Sequence, residues 1–297
     1  MGSRASQNRY KDETQTAVFI QAGMMYSIFH FWQSLFENRS KFKKIEKLDK
    51  FPFPKGMLSC INRGVFPDLA IRINKQGRFS GGELVELKDS NVYNVSSFNS
   101  TIPTGKKLIR NIVASESGIV FKQMRDAGDD VFALEVRDVY YLVRGRKKDH
   151  QKICLVHGSF FETIPAEDLV GETFSQVIDE ELNDPEIKED VKRKLKSALS
   201  RQDIFSRVRS VDKASVSMRF RVLADVKPDA NILNSNQYPE ILDDTINLIC
   251  AFHSQDEKEE LIEKMEFVLG MEQFSKLKIL QIKHPFNGPF LVFQSGL

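Results

Sequence analysis

The chain has 297 residues, of which 41% are hydrophobic and 28% charged, and its formal net charge is +2. This composition excludes a disordered chain, and the apolar runs are too short to cross a bilayer, so we expect a globular cytoplasmic protein with no membrane segment. Its three cysteines include no CxxC pair, which excludes a disulfide framework and a zinc knuckle.

The first half of the chain alternates helix and strand signals. Apolar residues between Asp12 and Glu37 almost encircle a helical axis, which predicts a long buried helix. Two strand-like runs, at 69–73 and 83–88, flank a glycine-rich turn and predict a β-hairpin. The other elements predicted in this half are a helix at 115–127 and strands at 131–143 and 153–156, which bracket a basic turn.

After Pro165 the chain becomes more charged and more helical. The patterns predict helices at 166–182, 185–209, 239–252 and 256–269, with strands near 216–222, 277–282 and 290–293. We therefore expect an α/β fold with a central mixed β-sheet flanked by helices over 12–165. A helix-rich α+β extension over 166–297 would follow, and the alternative that it packs on the same sheet stays open.

One spacing carries chemistry: 17 residues separate Pro67-Asp68 from Glu86-Leu87-Lys88. Side chains alternate along a strand, so Glu86 and Lys88 share one face while Val85 and Leu87 turn to the core. A hairpin would bring the carboxylate of Asp68 near that of Glu86. The similar tripeptides Glu186-Ile187-Lys188 and Asp256-Glu257-Lys258 occur in predicted helices, without this context.

The motif resembles that of the PD-(D/E)XK nuclease superfamily, most closely its type II restriction endonucleases. Carboxylate oxygens select a hard cation, so we expect Asp68 and Glu86 to bind Mg²⁺, with the Leu87 carbonyl as a third ligand. Lys88 would orient or deprotonate the attacking water, and the sequence leaves both roles open. Glu37 and Glu83 are second-tier candidates, although the strand alternation places Glu83 on the opposite face.

Two groups of residues are candidates for DNA contact. Basic side chains neutralise backbone phosphates, and short polar side chains bond to phosphates or base edges. The candidates are Asn99, Ser100, Thr101, Thr104, Lys106, Lys107, Arg110, Arg144, Arg146, Lys147 and Lys148. A solvent-facing turn and a plain polar loop are the alternative interpretations. The Thr104-Gly105-Lys106 segment lacks the upstream glycine of a phosphate-binding loop, so we expect no ATP.

The resemblance implies Mg²⁺-dependent, sequence-specific cleavage of double-stranded DNA, with the residues after 165 serving recognition or dimerisation. It also implies a homodimer, because two-fold symmetric sites are read by two-fold proteins, and a cognate DNA methyltransferase in the same system. Two alternatives remain: a DNA repair or structure-specific nuclease on the same core, and a non-catalytic DNA-binding module.

Overall fold

The structure is a computed structural model. It describes residues 27–37, 39, 66–67, 69–73, 77–90, 92–95, 97–99, 103–113, 116, 118–126, 128–162, 166–181, 188–199, 211–212, 217–218 and 223–297. The predicted first helix is therefore described from residue 28, and residues 12–26 lie outside this set. Within the described part of the chain, no helix is both long and apolar enough to cross a membrane.

The described helices and strands alternate along the chain. The helices are α1 (Ile28–Glu37), α2 (Ile109–Ile112), α3 (Ile119–Asp126), α4 (Ala166–Glu181), α5 (Glu189–Leu199) and α6 (Gln255–Phe274). The strands are β1 (Leu69–Ala70), β2 (Leu84–Ser90), β3 (Ser97–Asn99), β4 (Lys106–Leu108), β5 (Val136–Lys147), β6 (His150–His157), β7 (Val211–Asp212), β8 (Ser217–Met218), β9 (Leu223–Asp225), β10 (Thr245–Ala251), β11 (Lys278–His284) and β12 (Gly288–Gly296).

Eight strands form one mixed sheet in the order β1-β2-β5-β6-β10-β12-β11, with β4 pairing to the beginning of β5. Strand β2 runs parallel to β5, and β6 runs parallel to β10. The other neighbours in the sheet are antiparallel. A mixed sheet with helices confirms the predicted α/β class.

The main core lies between one face of the sheet and helices α1 and α6. Phe31 and Trp32 of α1 and Met265 of α6 are fully buried, and they belong to the same apolar cluster as Val85 of β2. Each such side chain contributes about 1.5–3 kcal/mol by leaving water. Phe79, in the connection between β1 and β2, contacts the rings of α1 and α6 and so fixes that connection to both helices.

The start of α6 shows how local sequence defines an element. Ser254 is the N-cap residue, and its hydroxyl accepts a hydrogen bond of 3.1 Å from the backbone N–H of Glu257. The Glu257 carboxylate in turn accepts one of 2.6 Å from the backbone N–H of His253. The first bond satisfies an amide group that the first turn of a helix leaves without a partner, and the second holds the residue that precedes the N-cap.

Two sequence predictions are wrong. The pattern of residues 239–252 predicts a helix, but Thr245–Ala251 form β10, whose first six residues are buried. Strands buried on both faces have continuous apolar sequences that resemble buried helices, which explains the error. The predicted basic turn at 144–148 is also shorter, because β5 continues to Lys147 and only Lys148 and Asp149 separate it from β6.

The chain divides into two compact units. The first comprises residues 1–95, 105–160 and 227–297, and it contains the whole eight-stranded sheet. The second comprises residues 96–104 and 161–226; it contains α4 and α5, which pack together, and the two-stranded pairs β3-β9 and β7-β8. This division differs from the predicted boundary at residue 165, because β10, β11 and β12 continue the sheet of the first half.

Candidate active site on strand β2

The predicted hairpin around the candidate site is present. Leu69 of β1 pairs with Val85 of β2, and Ala70 pairs with Leu84, in antiparallel register. Beyond the paired residues, the backbone N–H of Ile71 donates to the carbonyl of Glu83 at 2.8 Å. The other side of β2 pairs in parallel with β5 along its whole length, whereas the described pairing with β1 ends at Val85, so Glu86, Leu87 and Lys88 have a described strand partner on the β5 side.

Glu86 and Lys88 lie together on one face of β2. The Lys88 ammonium donates to Glu86 Oε1 at 3.0 Å, and the lysine and glutamate side chains are only 21% and 13% exposed, respectively. Leu87 lies between these two residues and Val85 precedes Glu86, and both pack against the main core on the opposite face. The predicted alternation is therefore confirmed, and a carboxylate and an ammonium group meet at one partly buried position.

The metal centre expected from the resemblance needs Asp68, which lies outside the described residues. Of the predicted ligands, Glu86 and Leu87 are described. Among the described residues there is no group of three or more histidine, cysteine, aspartate or glutamate side chains arranged for a metal ion. The Glu86 carboxylate supplies the hard oxygen donor that Mg²⁺ prefers, so the described part of the donor set fits that ion.

Glu83, a second-tier candidate, belongs to the core face. Its Oε1 accepts a hydrogen bond of 2.9 Å from the backbone N–H of Ile28, at the beginning of α1. Its Oε2 is buried and has no hydrogen-bond partner in the described residues. Burial raises the pKa of Glu83 to about 7. The carboxylate therefore caps α1 and lies on the face opposite to Glu86, as the alternation predicts.

Glu37, the other second-tier candidate, is the last residue of α1. Its side chain is exposed, and its Oε1 accepts a hydrogen bond of 2.9 Å from the Gln33 side chain one turn earlier. This is the geometry of a solvated helix end. We leave Glu37 out of the proposed site.

The first basic group lies on β4 and α2. Lys106 and Arg110 are exposed, and Lys107 is half-buried. The Lys107 ammonium lies 4.6 Å from the centroid of the Phe66 ring, a cation–π distance. Since Phe66 precedes Pro67 and Asp68 in the sequence, Lys107 contacts the residue two positions before the predicted ligand Asp68.

The four side chains of the second basic group differ in their burial. Arg144 is only 7% exposed and Arg146 is half-buried, and both belong to β5. Lys147 and Lys148, at the end of the hairpin, are exposed. The expectation of four exposed cations in a turn is therefore wrong for Arg144, because the strand carries its side chain inward.

The polar loop candidates are only partly described. Ser100 and Thr101 lie outside the described residues, and Asn99 is described as the end of β3 without its side chain. The Thr104 hydroxyl lies 3.0 and 3.1 Å from the two carboxylate oxygens of Glu162, within the second unit. Thr104 is therefore engaged by an acidic side chain.

Sequence reasoning did not identify a buried lysine on β6. Lys152 is 1% exposed, and its ammonium donates to the Ser235 hydroxyl at 2.8 Å and lies 3.5 Å from the Asp243 carboxylate. The only signal in the sequence is a lysine at the start of the apolar run Ile153-Cys154-Leu155-Val156. Its partners are far away in the chain, so no local pattern could have predicted them.

No protein-family model matches this chain, and comparison with curated proteins and with solved structures found no match either.

Proposed function

We propose that this chain is a Mg²⁺-dependent endonuclease that hydrolyses phosphodiester bonds in double-stranded DNA. The observation that supports the proposal most is the pairing of Glu86 with Lys88, at 3.0 Å on one partly buried face of β2. A mostly apolar strand gains little from two adjacent ionisable side chains on one face, and such groups concentrate at functional sites. Their spacing is that of the E-x-K motif.

The roles follow from what the reaction requires. Asp68 and Glu86 would hold the cation, with the Leu87 carbonyl as a third ligand; when bound, Mg²⁺ activates water and neutralises charge on the scissile phosphate. Lys88 lies on the same face as Glu86 and would bind the attacking water or a phosphate oxygen. Its ammonium group is a compact donor of three hydrogen bonds, which suits both tasks.

The position of Asp68 in the sequence supports the same site. Asp68 is bonded to Leu69, and Leu69 pairs with Val85, the residue before Glu86. Consecutive Cα atoms are about 3.8 Å apart, and neighbouring strands lie about 4.8 Å apart. Chain connectivity therefore limits the separation between the Cα atoms of Asp68 and Glu86 to two peptide units and one strand spacing.

The narrower part of the proposal is a type II restriction endonuclease with a restriction-endonuclease-like core. Its support is the motif, together with a mixed sheet in which the strand that carries Glu86 and Lys88 has a parallel neighbour and an antiparallel neighbour, β1, that follows the Pro-Asp segment in the sequence. Sequence-specific recognition, a homodimer and a cognate methyltransferase are parts of this narrower proposal. Lys106, Lys107, Arg110, Lys147 and Lys148 are the proposed contacts to the DNA backbone.

Cleavage of unmethylated phage DNA in the presence of Mg²⁺ tests the proposal. Discrete, reproducible fragments are expected, and cleavage of only branched or flapped substrates would instead indicate a repair enzyme. Asp68→Ala, Glu86→Ala and Lys88→Ala should each abolish cutting while DNA binding remains. Absence of cutting by the wild type with every divalent ion would leave the non-catalytic DNA-binding module as the interpretation.

The chain provides its own matched control. In Asp256-Glu257-Lys258 an acidic residue and a lysine have the same spacing as Glu86 and Lys88, but this segment lies in the first turn of α6. Asp256→Ala and Lys258→Ala remove the same kinds of charge from a helix and should leave cutting intact. Full activity of Lys88→Ala, or an inactive Lys258→Ala control, would contradict the assignment.

A further inference from the structure

The loop after β2 is fixed to the hairpin of β5 and β6 through Tyr93. A Cβ atom added to Gly145 would lie 3.0 Å from Tyr93 Cδ1 and 2.6 Å from Leu233 Cδ1, so a larger residue would force these side chains to move. Asn231 holds the same loop, because its side-chain amide donates to the Tyr93 carbonyl at 3.0 Å and its oxygen accepts from the Val95 N–H at 3.3 Å. The position of the Tyr93 ring is therefore determined from several directions.

Two lysines pack against that ring. The Lys152 ammonium lies 5.0 Å from the ring centroid, and the Lys147 ammonium lies 5.8 Å from it. Lys152 is buried and is held by Ser235 and Asp243, whereas Lys147 is exposed at the end of β5. The buried cation thus supports the aromatic ring against which the exposed cation rests.

The backbone of the hairpin turn is strained at a lysine. Lys148 has a φ angle of 57°, in the left-handed region, where glycine or asparagine is preferred. Within the described residues, neither Lys147 nor Lys148 forms an ion pair, so both ammonium groups are available to an anion.

The hairpin end lies at a defined distance from the candidate active site. Lys88 of β2 pairs with Val143 of β5, and Ser90 pairs with Gly145. Lys147 is four residues beyond Val143, which corresponds to about 13 Å along the strand. Phosphates of one DNA strand follow each other about every 3.4 Å along the duplex axis, so for a duplex whose axis runs along β5 this distance corresponds to about four phosphates.

We propose that Tyr93, Lys147 and Lys148 form a surface, here called the tip surface, that binds the DNA backbone about four phosphates from the scissile one. Lys152 is a positioning residue that acts through Tyr93. The inference rests on the proposed function, because it takes DNA as the anion. Beyond the proposed function, the inference identifies where on the protein the DNA backbone is bound and names Lys152 as the buried side chain that positions this surface.

The salt dependence of DNA binding tests the tip surface without any cutting. In the absence of divalent ions, a plot of log K against log salt concentration has a negative slope. The magnitude of this slope decreases by about 0.9 for each phosphate that the protein no longer neutralises. The Lys147→Ala/Lys148→Ala double variant should therefore reduce the slope by about 1.8. The double variant Lys278→Ala/Lys283→Ala removes the same charge from exposed positions on β11, at the other edge of the sheet, and should leave the slope unchanged. Equal slopes for the two double variants would overturn the proposal.

Lys152→Met tests the positioning role, and Lys152→Arg provides a variant that retains the cation. A purely structural defect lowers the folded fraction but does not change the salt slope of the protein that still binds. We expect the slope to fall in Lys152→Met and to be restored in Lys152→Arg. An unchanged slope in Lys152→Met would refute the positioning role.

The location of the tip surface on DNA is tested with a duplex that contains one cut site. A neutral methylphosphonate is introduced at each phosphate in turn, and binding is measured without divalent ions. Wild-type binding should weaken at about the fourth phosphate from the cut, and the Lys147→Ala/Lys148→Ala variant should be insensitive there. If the wild type and the double variant were both sensitive at that phosphate, the tip-surface proposal alone would be wrong. Loss of cutting in Lys88→Ala would still support the proposed nuclease activity. Absence of DNA binding by the wild type would contradict the proposed function itself.

Discussion

Replacing Glu83 with glutamine should make the protein more stable at high pH relative to the wild type. Burial raises the pKa of Glu83 to about 7, and the charge of Asp138 adds to the rise, while the hydrogen bond from Ile28 opposes it. The ordinary pKa of the group is 4.5. A rise of this size corresponds to a difference of about 3 kcal/mol between the protonated and ionised states of the side chain.

The direction of the effect follows from proton binding. Between pH 4.5 and about 7, the folded protein holds a proton on Glu83 that the unfolded chain has released. The stability that this proton contributes is complete below pH 4.5 and is lost as the pH rises through the folded pKa. Glutamine does not titrate, and its amide oxygen still accepts the hydrogen bond from Ile28. The free energy of unfolding of Glu83→Gln, relative to wild type, should therefore rise by about 3 kcal/mol from pH 4.5 to about 8.

Urea denaturation at a series of pH values measures this difference. Trp32 is the single tryptophan of the chain and is fully buried in α1, so its fluorescence reports unfolding close to Glu83. Ile28→Val is the control, since it costs about 0.5–1.5 kcal/mol at every pH without changing a charge. A difference between Glu83→Gln and wild type that stays constant across the pH range would refute the reasoning.

Three further predictions concern single interactions. The Arg137 guanidinium lies 2.8 Å from the buried Asp129 carboxylate, which Arg137→Ala would leave without a counter-ion. The free energy of unfolding, measured by urea denaturation, should fall by about 3–5 kcal/mol. A decrease below about 1 kcal/mol would contradict this. Ser254→Ala removes the N-cap of α6 and should cost about 1 kcal/mol, whereas Ser254→Asp should retain stability, as thermal unfolding will show. Asp244 lies 2.6 Å from His150 Nδ1 and raises the pKa of that histidine through this hydrogen bond. Asp244→Asn should lower the pKa of His150 in an NMR titration, and an unchanged value would exclude the hydrogen bond in solution.

The sequence predicts the candidate site better than it predicts the sheet. The alternation along β2 is sufficient to place Glu86 and Lys88 on one face and Glu83 on the other, because period 2 is a property of any strand. The residues that surround this strand are less predictable. Strand β10 has the pattern of a buried helix, since its apolar run has no alternation to distinguish the two structures.

The tip surface could not be predicted from the sequence, for a different reason. The charges of Lys147 and Lys148 are visible there, but the burial of Arg144 depends on how far β5 extends before it turns. The partners of Lys152 come from residues more than eighty positions away in the chain. Interactions over this sequence separation are determined by tertiary packing, which local propensity does not encode.

The parallel pairing of β6 with β10 has a consequence for the kinetics of folding. Residues Lys152 to Val156 of β6 are buried, yet their partners in β10 follow only after the whole of residues 161–226 has been synthesised. Pairings of such high sequence separation form late and slowly. Until they form, β6 presents an unpaired apolar edge of the kind that recruits other chains. We expect refolding to be slow and to lose material to aggregation as the protein concentration rises. Chains that end before Thr245 should aggregate instead of folding into a smaller protein.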